Sequence, residues 1–92
     1  MRIEFDPAKN ERNIRVRGLP FDEAGRFDFE TARVYVDERR DYGETRFVAL
    51  GYLGARLHVL CFMEIEDGIR VLSFRKANVR EMRRYAQVQA TD

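Results

Sequence analysis

Ninety-two residues, 45% hydrophobic and 36% charged, suffice for one folded domain over 1–92 and are too apolar for a disordered chain. With 17 basic and 16 acidic side chains the formal net charge is +1, so any attraction to nucleic acid must come from local clustering of cations rather than from the molecule as a whole. The single cysteine, Cys61, excludes a disulfide framework and favours a cytoplasmic setting, and no apolar run approaches the roughly 20 residues needed to span a bilayer.

In chain order, Arg2 to Phe5 reads as a short strand. The opening MRIEFDPAK has acid and proline where a signal peptide would be apolar. Asp6-Pro7 then marks a helix start, with Asp as N-cap and Pro at the first helical position. Gly18 is a natural residue to end that helix. Its apolar content is thin, so it is expected to be largely exposed. Lys9, Arg12, Arg15 and Arg17 read either as a solvated face or as a nucleic-acid surface. Leu19-Pro20 opens a second helical piece in which Phe21, Ala24 and Phe27 recur every three residues. These phenylalanines and Phe29 are expected in the core. Thr31 to Asp37 is a strand, followed by a charged loop from Asp37 to Glu44 with no apolar pattern.

A β-meander comes next: Thr45 to Leu53, a turn at Gly54-Ala55, Arg56 to Ile65, a turn of three residues or more at Glu66-Asp67-Gly68, and Ile69 to Arg75. In the middle strand both faces are largely apolar, so it is expected to be central and covered on both sides. Cys61 reads as a small buried filler. Asn78 and Glu81 fit a capping box that opens a final helix. Val79, Met82 and Ala86 are expected to pack, leaving Arg80, Arg83, Arg84 and Gln87 outside. From Arg70 to Arg84 there are six basic residues and one acid, the strongest charge imbalance in the chain. The order of elements predicts an α+β fold with a mostly antiparallel sheet, two N-terminal helices and a basic C-terminal helix.

FDPAKNERN, RGLPFDEA, GETRFVALGYL and GIRVLSFRKANVREMRRY, in that order over Ile3 to Tyr85, resemble the BrnT family of small bacterial toxins from type II toxin–antitoxin pairs. The resemblance implies a RelE-like fold and a metal-independent endoribonuclease that arrests translation. It also implies a BrnA-like ribbon-helix-helix antitoxin, through which alone the toxin meets operator DNA. The family's conserved positions fall on Asp6, Pro7, Lys9 and Asn13; on Glu44 and Arg46; on Ser73, Arg75, Lys76 and Ala77; and on Glu81, Arg83, Arg84 and Tyr85. A histidine common in the family is replaced by Arg17, and a small residue by Phe74. If that histidine is catalytic this chain is slow or inactive; if it only closes a helix, Arg17 serves as well.

Metal-free RNA cleavage needs a base near the 2′-OH, an acid near the leaving 5′-oxygen, and cations for the charge on the phosphorane. Arg75 and Lys76 fall on opposite faces of a continuing strand, so Arg75 with Arg83 or Arg84 is the expected phosphate clamp, with Lys76, Tyr85 or His58 supplying proton transfer. Lys9, Arg46, Arg80 and Arg84 are the expected RNA contacts, with Glu44 orienting Arg46. The competing reading pairs Arg75 with Glu44, Glu64 or Glu81 on a solvated surface. His58, the one histidine, is more often a core residue than a catalyst, but a pair with Glu64 on the same face would give it acid–base chemistry. One His, one Cys and no carboxylates at ligand spacing point to no metal and no cofactor. The alternative function is a non-enzymatic module whose basic helix docks an acidic antitoxin segment or RNA.

Overall fold

A computed structural model describes residues 1–91. In chain order they form strand β1 (Arg2–Phe5), helix α1 (Pro7–Arg17), a 3₁₀ helix (Phe21–Arg26), strands β2 (Arg33–Val36), β3 (Phe47–Leu53), β4 (Arg56–Ile65) and β5 (Gly68–Lys76), and helix α2 (Val79–Thr91). The strands make one sheet in the order β1-β5-β4-β3-β2. Every pairing is antiparallel except that of β1, which runs parallel to β5. The architecture is therefore α+β with a mostly antiparallel sheet. Among the described residues no helix is long and apolar enough to cross a membrane.

Local chemistry sets most boundaries. Asp6 accepts the Ala8 amide at 3.0 Å and Pro7 occupies the first turn of α1. Gly18 closes the helix at φ 65°, donating its amide to the Ile14 carbonyl at 2.8 Å. Phe21, Ala24 and Phe27 recur every three residues because this segment is a 3₁₀ helix with three residues per turn, so all three fall on one side and are buried. Gly54-Ala55 forms a two-residue hairpin loop between Leu53 and Arg56. The next loop is shorter than expected: Ile65 pairs with Gly68 directly, and Asp67 takes the left-handed conformation at φ 69°. Gly68 is thereby freed to begin β5.

β4 is the central strand. On one side Leu60 and Phe62 meet Phe21, Ala24, Phe27, Ile69, Val71 and Phe74. On the other, Leu57 and Val59 meet Val48, Leu50, Ala77 and Tyr85. Each fully buried large side chain here, Phe74 or Leu60, contributes about 1.5–3 kcal/mol. Cys61, expected as a buried filler, is only partly buried and is a free thiol.

The expected alternation of β5 breaks once. Ser73 pairs with Cys61 but Val71 pairs with Phe62, leaving Leu72 as an extra residue in a bulge. The bulge returns Phe74 to the face of Ile69 and Val71, and all three share one core. It also reverses every later residue. Arg75 stands opposite Val59 on the α2 side, and Lys76 opposite His58 on the other.

Two boundaries differ from expectation for one reason. β2 spans only Arg33–Val36 and β3 begins at Phe47, because the intervening residues bond to themselves. Asp37 accepts from the backbone and guanidinium of Arg39 and from the Tyr42 hydroxyl, and Arg46 lies 4.0 Å over the Tyr42 ring. The bidentate Arg39 guanidinium holds the Asp37 carboxyl well below the usual range. The packing face of α2 also differs: Met82 and Tyr85 turn inward with Glu81, whereas Val79 and Ala86 are exposed. Tyr85 anchors that face, its ring edge-on to Tyr52 at 5.6 Å.

Gly68 pairs with Ile65 on one side and lies against β1 on the other, where a Cβ would collide with the Arg2 carbonyl. Gly68→Ala should therefore push β1 off the sheet and destabilise the protein by roughly 1–3 kcal/mol. Urea unfolding with amide exchange along β1 measures both effects. Unaltered stability would mean that β1 yields freely.

Candidate nucleic-acid interface

The β5–α2 junction is built by reciprocal bonds. Asn78 Oδ1 accepts the Glu81 amide and Glu81 Oε1 accepts the Asn78 amide, each at 2.8 Å, completing the capping box. The same Glu81 carboxylate takes two bonds from Arg75, at 2.8 and 2.9 Å. This hydrogen bonding is the main reason that the Glu81 carboxyl is held below its ordinary range and Arg75 above its own. The junction is pinned to the start of β4 by Ala77 donating to the Leu57 carbonyl and by Arg56 donating to the Ala77 carbonyl, both at 3.0 Å. Arg75 thus pairs with Glu81, as in the competing expectation.

On the other side of the sheet two adjoining hollows make one cationic groove. The first, about 390 Å³, is lined by Arg17, Gly18, Leu19, His58, Arg75 and Lys76. The second, about 260 Å³, shares Arg17 and continues along α1 past Lys9, Arg12 and Asn13 to Leu72 and Ser73. Five cations border this groove, and among the described residues lining it none is acidic. Asn13 holds it together. β1 pairs with β5 only as far as Val71, and beyond that point Asn13 Nδ2 donates to the buried carbonyl of Phe74 at 2.9 Å and to the Leu19 carbonyl at 2.8 Å. Its Oδ1 accepts from Arg17 at 2.8 Å, turning that guanidinium along the groove.

His58 sits at the groove's base, buried and with its ring against Phe74. Nδ1 lies 2.8 Å from the Arg56 carbonyl. A carbonyl oxygen only accepts, so Nδ1 carries the proton of that bond and Nε2 is the unprotonated nitrogen of the neutral ring. Burial, reinforced by the charges of Arg56 and Lys76, lowers the His58 pKa below 6.5 against the opposing pull of the Arg56 carbonyl. At neutral pH His58 is therefore a free base surrounded by cations.

The remaining predicted residues lie elsewhere. Glu64 shares the His58 face but is six residues along the strand, about 20 Å away at the β-strand rise, so the His58–Glu64 pair is not formed. Tyr85, expected as a proton donor or base-stacking ring, is buried and donates its hydroxyl to the Thr31 carbonyl at 2.8 Å. Arg46 is oriented by Glu44 at 3.1 Å as expected, but within the Tyr42 loop and outside the groove. Arg84 borders a cavity on the opposite face of the sheet, and Arg80 and Arg83 are exposed on α2. Lys9, Lys76 and His58 are the predicted residues that the fold brings into the groove, with Arg75 at its rim. Arg12 and Arg17 belong to the α1 face that reads either as solvated or as a nucleic-acid surface, and Asn13 to the family-like opening; all three line the groove, whereas Arg15 of that face does not. The i, i+4 placing of Asn13 and Arg17 at the helix end is what lets their side chains bond.

A small α+β protein with a cationic groove and a neutral, oriented histidine at its base is equipped to hold a polyanion and to take a proton from it. The family model described as ribonuclease toxin, BrnT, of type II toxin-antitoxin system matches residues 5–81, and the chain belongs to this family. The family is one of ribonuclease toxins, and membership of a type II system brings an antitoxin partner and RNA as substrate. No curated protein matches the chain.

Glu81 serves both the helix cap and Arg75. Glu81→Ala should cost about 1–2 kcal/mol, most of it the cap, since Arg75 is partly exposed and water screens the pair. Because the folded carboxyl titrates below the unfolded one, this stability is present above the ordinary carboxylate range and is lost as pH falls through the lowered value. Denaturant melts of both proteins should therefore converge in acid. A gap that persisted there would assign the effect to packing.

Proposed function

We propose that this chain is a RelE-like, metal-independent endoribonuclease toxin that acts in the cytoplasm and inhibits translation. A BrnA-like ribbon-helix-helix antitoxin restrains it and carries it to operator DNA. The observation that carries the catalytic reading is the free Nε2 of His58 in a groove whose charged neighbours are all cations. His58 takes the 2′-OH proton as that oxygen bonds to the adjacent phosphorus. The bond from phosphorus to the 5′-oxygen breaks, and the Lys76 ammonium gives that oxygen a proton. Arg17 and Arg75 stabilise the phosphorane, while Lys9 and Arg12 hold the neighbouring phosphates along α1. The products are a 2′,3′-cyclic phosphate and a 5′-hydroxyl. In this reading Arg17 occupies the groove directly, so the family histidine it replaces is not required for proton transfer. Arg46, Arg80, Arg83 and Arg84 extend the RNA contact at most peripherally, and Tyr85 supports α2.

Mixed-sequence RNA in excess EDTA should be cut by the wild type. His58→Gln and Lys76→Ala should each lose on the order of 10²-fold or more in rate with the fold intact by circular dichroism, while Tyr85→Phe stays within a few fold. Because the base must be unprotonated and its pKa lies below 6.5, cleavage should persist at pH 6.5 and decline in more acid solution. Full activity in His58→Gln would place the base elsewhere, and cleavage only with added divalent metal would overturn the metal-independent mechanism.

A further inference from the structure

The two edges of the sheet are finished differently. β1 carries charge, with Glu4 bonded to Arg70 at 2.6 Å and to Arg2 at 3.5 Å. Charged edges resist pairing with another chain. β2, the opposite edge, carries three successive exposed apolar residues: Val34 is 49%, Tyr35 56% and Val36 45% accessible. Its backbone is also directed for pairing. The Asp37 amide bonds inward to the Arg46 carbonyl at 2.7 Å, and Tyr35 and Val48 stand opposite each other in the same register. By the alternation of an antiparallel ladder, the amide and carbonyl groups of Val34 and Val36 face away from β3.

Beside this edge lies a groove with an apolar floor. Cavities of about 490 and 170 Å³ share Tyr35, Val48, Val59 and Glu81 and run between β2 and α2. Their acids are mostly spent: Glu81 is bonded to Arg75 and Asp37 to Arg39, leaving Glu38. The helix on the far side presents Arg84 to the groove and Arg80 and Arg83 to solvent.

We propose that the β2 edge docks an extended segment of the protein antitoxin, which adds a sixth strand through the outward groups of Val34 and Val36 and places acidic side chains toward the arginines of α2. One face of the added strand continues the apolar surface of Val34 and Val36. The other lies beside Tyr35 over the groove, where carboxylates reach Arg84. A second copy of this chain fits less well, because two such edges would bring two sets of α2 arginines together without added acid. The inference rests on the toxin reading, which supplies the partner.

Val36→Pro tests it. Proline removes an amide that faces outward and obstructs the incoming strand, yet leaves the β2–β3 hydrogen bonds in place. The probe is the antitoxin encoded beside this chain's gene, co-purified and then titrated. Binding should weaken at least tenfold in Val36→Pro and in Arg84→Glu, while the circular dichroism of both variants and RNA cleavage by free Val36→Pro stay as in the wild type. In the wild-type complex the Val34 and Val36 amides should gain protection from hydrogen exchange. Undiminished binding by Val36→Pro, no protection at those amides, or no wild-type complex at all would each overturn the proposal. So would a wild-type dimer that Val36→Pro makes monomeric without altering antitoxin affinity. RNA cleavage by the wild type alone reports on the enzymatic reading separately.

Discussion

The bulge at Leu72 is the constraint on which the rest of this structure depends. A regular β5 would send Phe74 away from Ile69 and Val71 and leave their core without its largest fully buried side chain. One extra residue resolves this. The same shift carries Arg75 to the α2 side and Lys76 to the side of His58. Hydrophobic packing in the middle of the strand thus decides which cation meets the helix and which meets the groove. The arrangement of charges is a consequence of where a phenylalanine must go.

That dependence explains what could be read from the sequence. Signals confined to a few neighbouring residues were legible: Asp6-Pro7 and Gly18 at the ends of α1, the Asn78–Glu81 box, Gly54-Ala55, and the two-faced apolar pattern of β4. The Arg75–Glu81 pair was visible only as one of two competing readings. What depended on register was hidden. A bulge has no side-chain signature here, since Leu72 and Phe74 both look like strand residues. His58 and Glu64 share a face, as alternation says, but alternation carries no distance and they lie six residues apart along the strand. Tyr85 looked reactive because its hydroxyl's partner, the Thr31 carbonyl, is 54 residues away in sequence. The cationic groove joins α1 to the end of β5, and its keystone, Asn13, bonds across 61 residues to Phe74.

Near-neutral overall charge proves compatible with a strongly cationic site because the acids are positioned to leave it bare. Glu4 is taken by Arg70, Asp37 by Arg39, Glu44 by Arg46 and Glu81 by Arg75. These surface pairs are each worth little in stability, about 0–1 kcal/mol. Their larger effect is spatial: they occupy carboxylates on the edges, the Tyr42 loop and the α2 face, away from Lys9, Arg12, Arg17 and Lys76. A polyanion then meets a local field that the net charge of +1 conceals, and its affinity should fall with added salt as counterion release requires.

The sheet also separates two kinds of surface. Its α1 side offers cations around a buried imidazole, and its α2 side offers an apolar floor with arginines above. Arg75 borders hollows on both sides, the groove with His58 and Lys76 and the cavity with Tyr35, Val36 and Cys61. It can do so because it stands at the strand's end, where the sheet is one residue from giving way to the α2 cap. Glu81 fixes it there, and the Asn78 amide fixes Glu81. A carboxylate brought to the α2 side would therefore compete with Glu81 for a guanidinium that also borders the cationic groove beside His58 and Lys76.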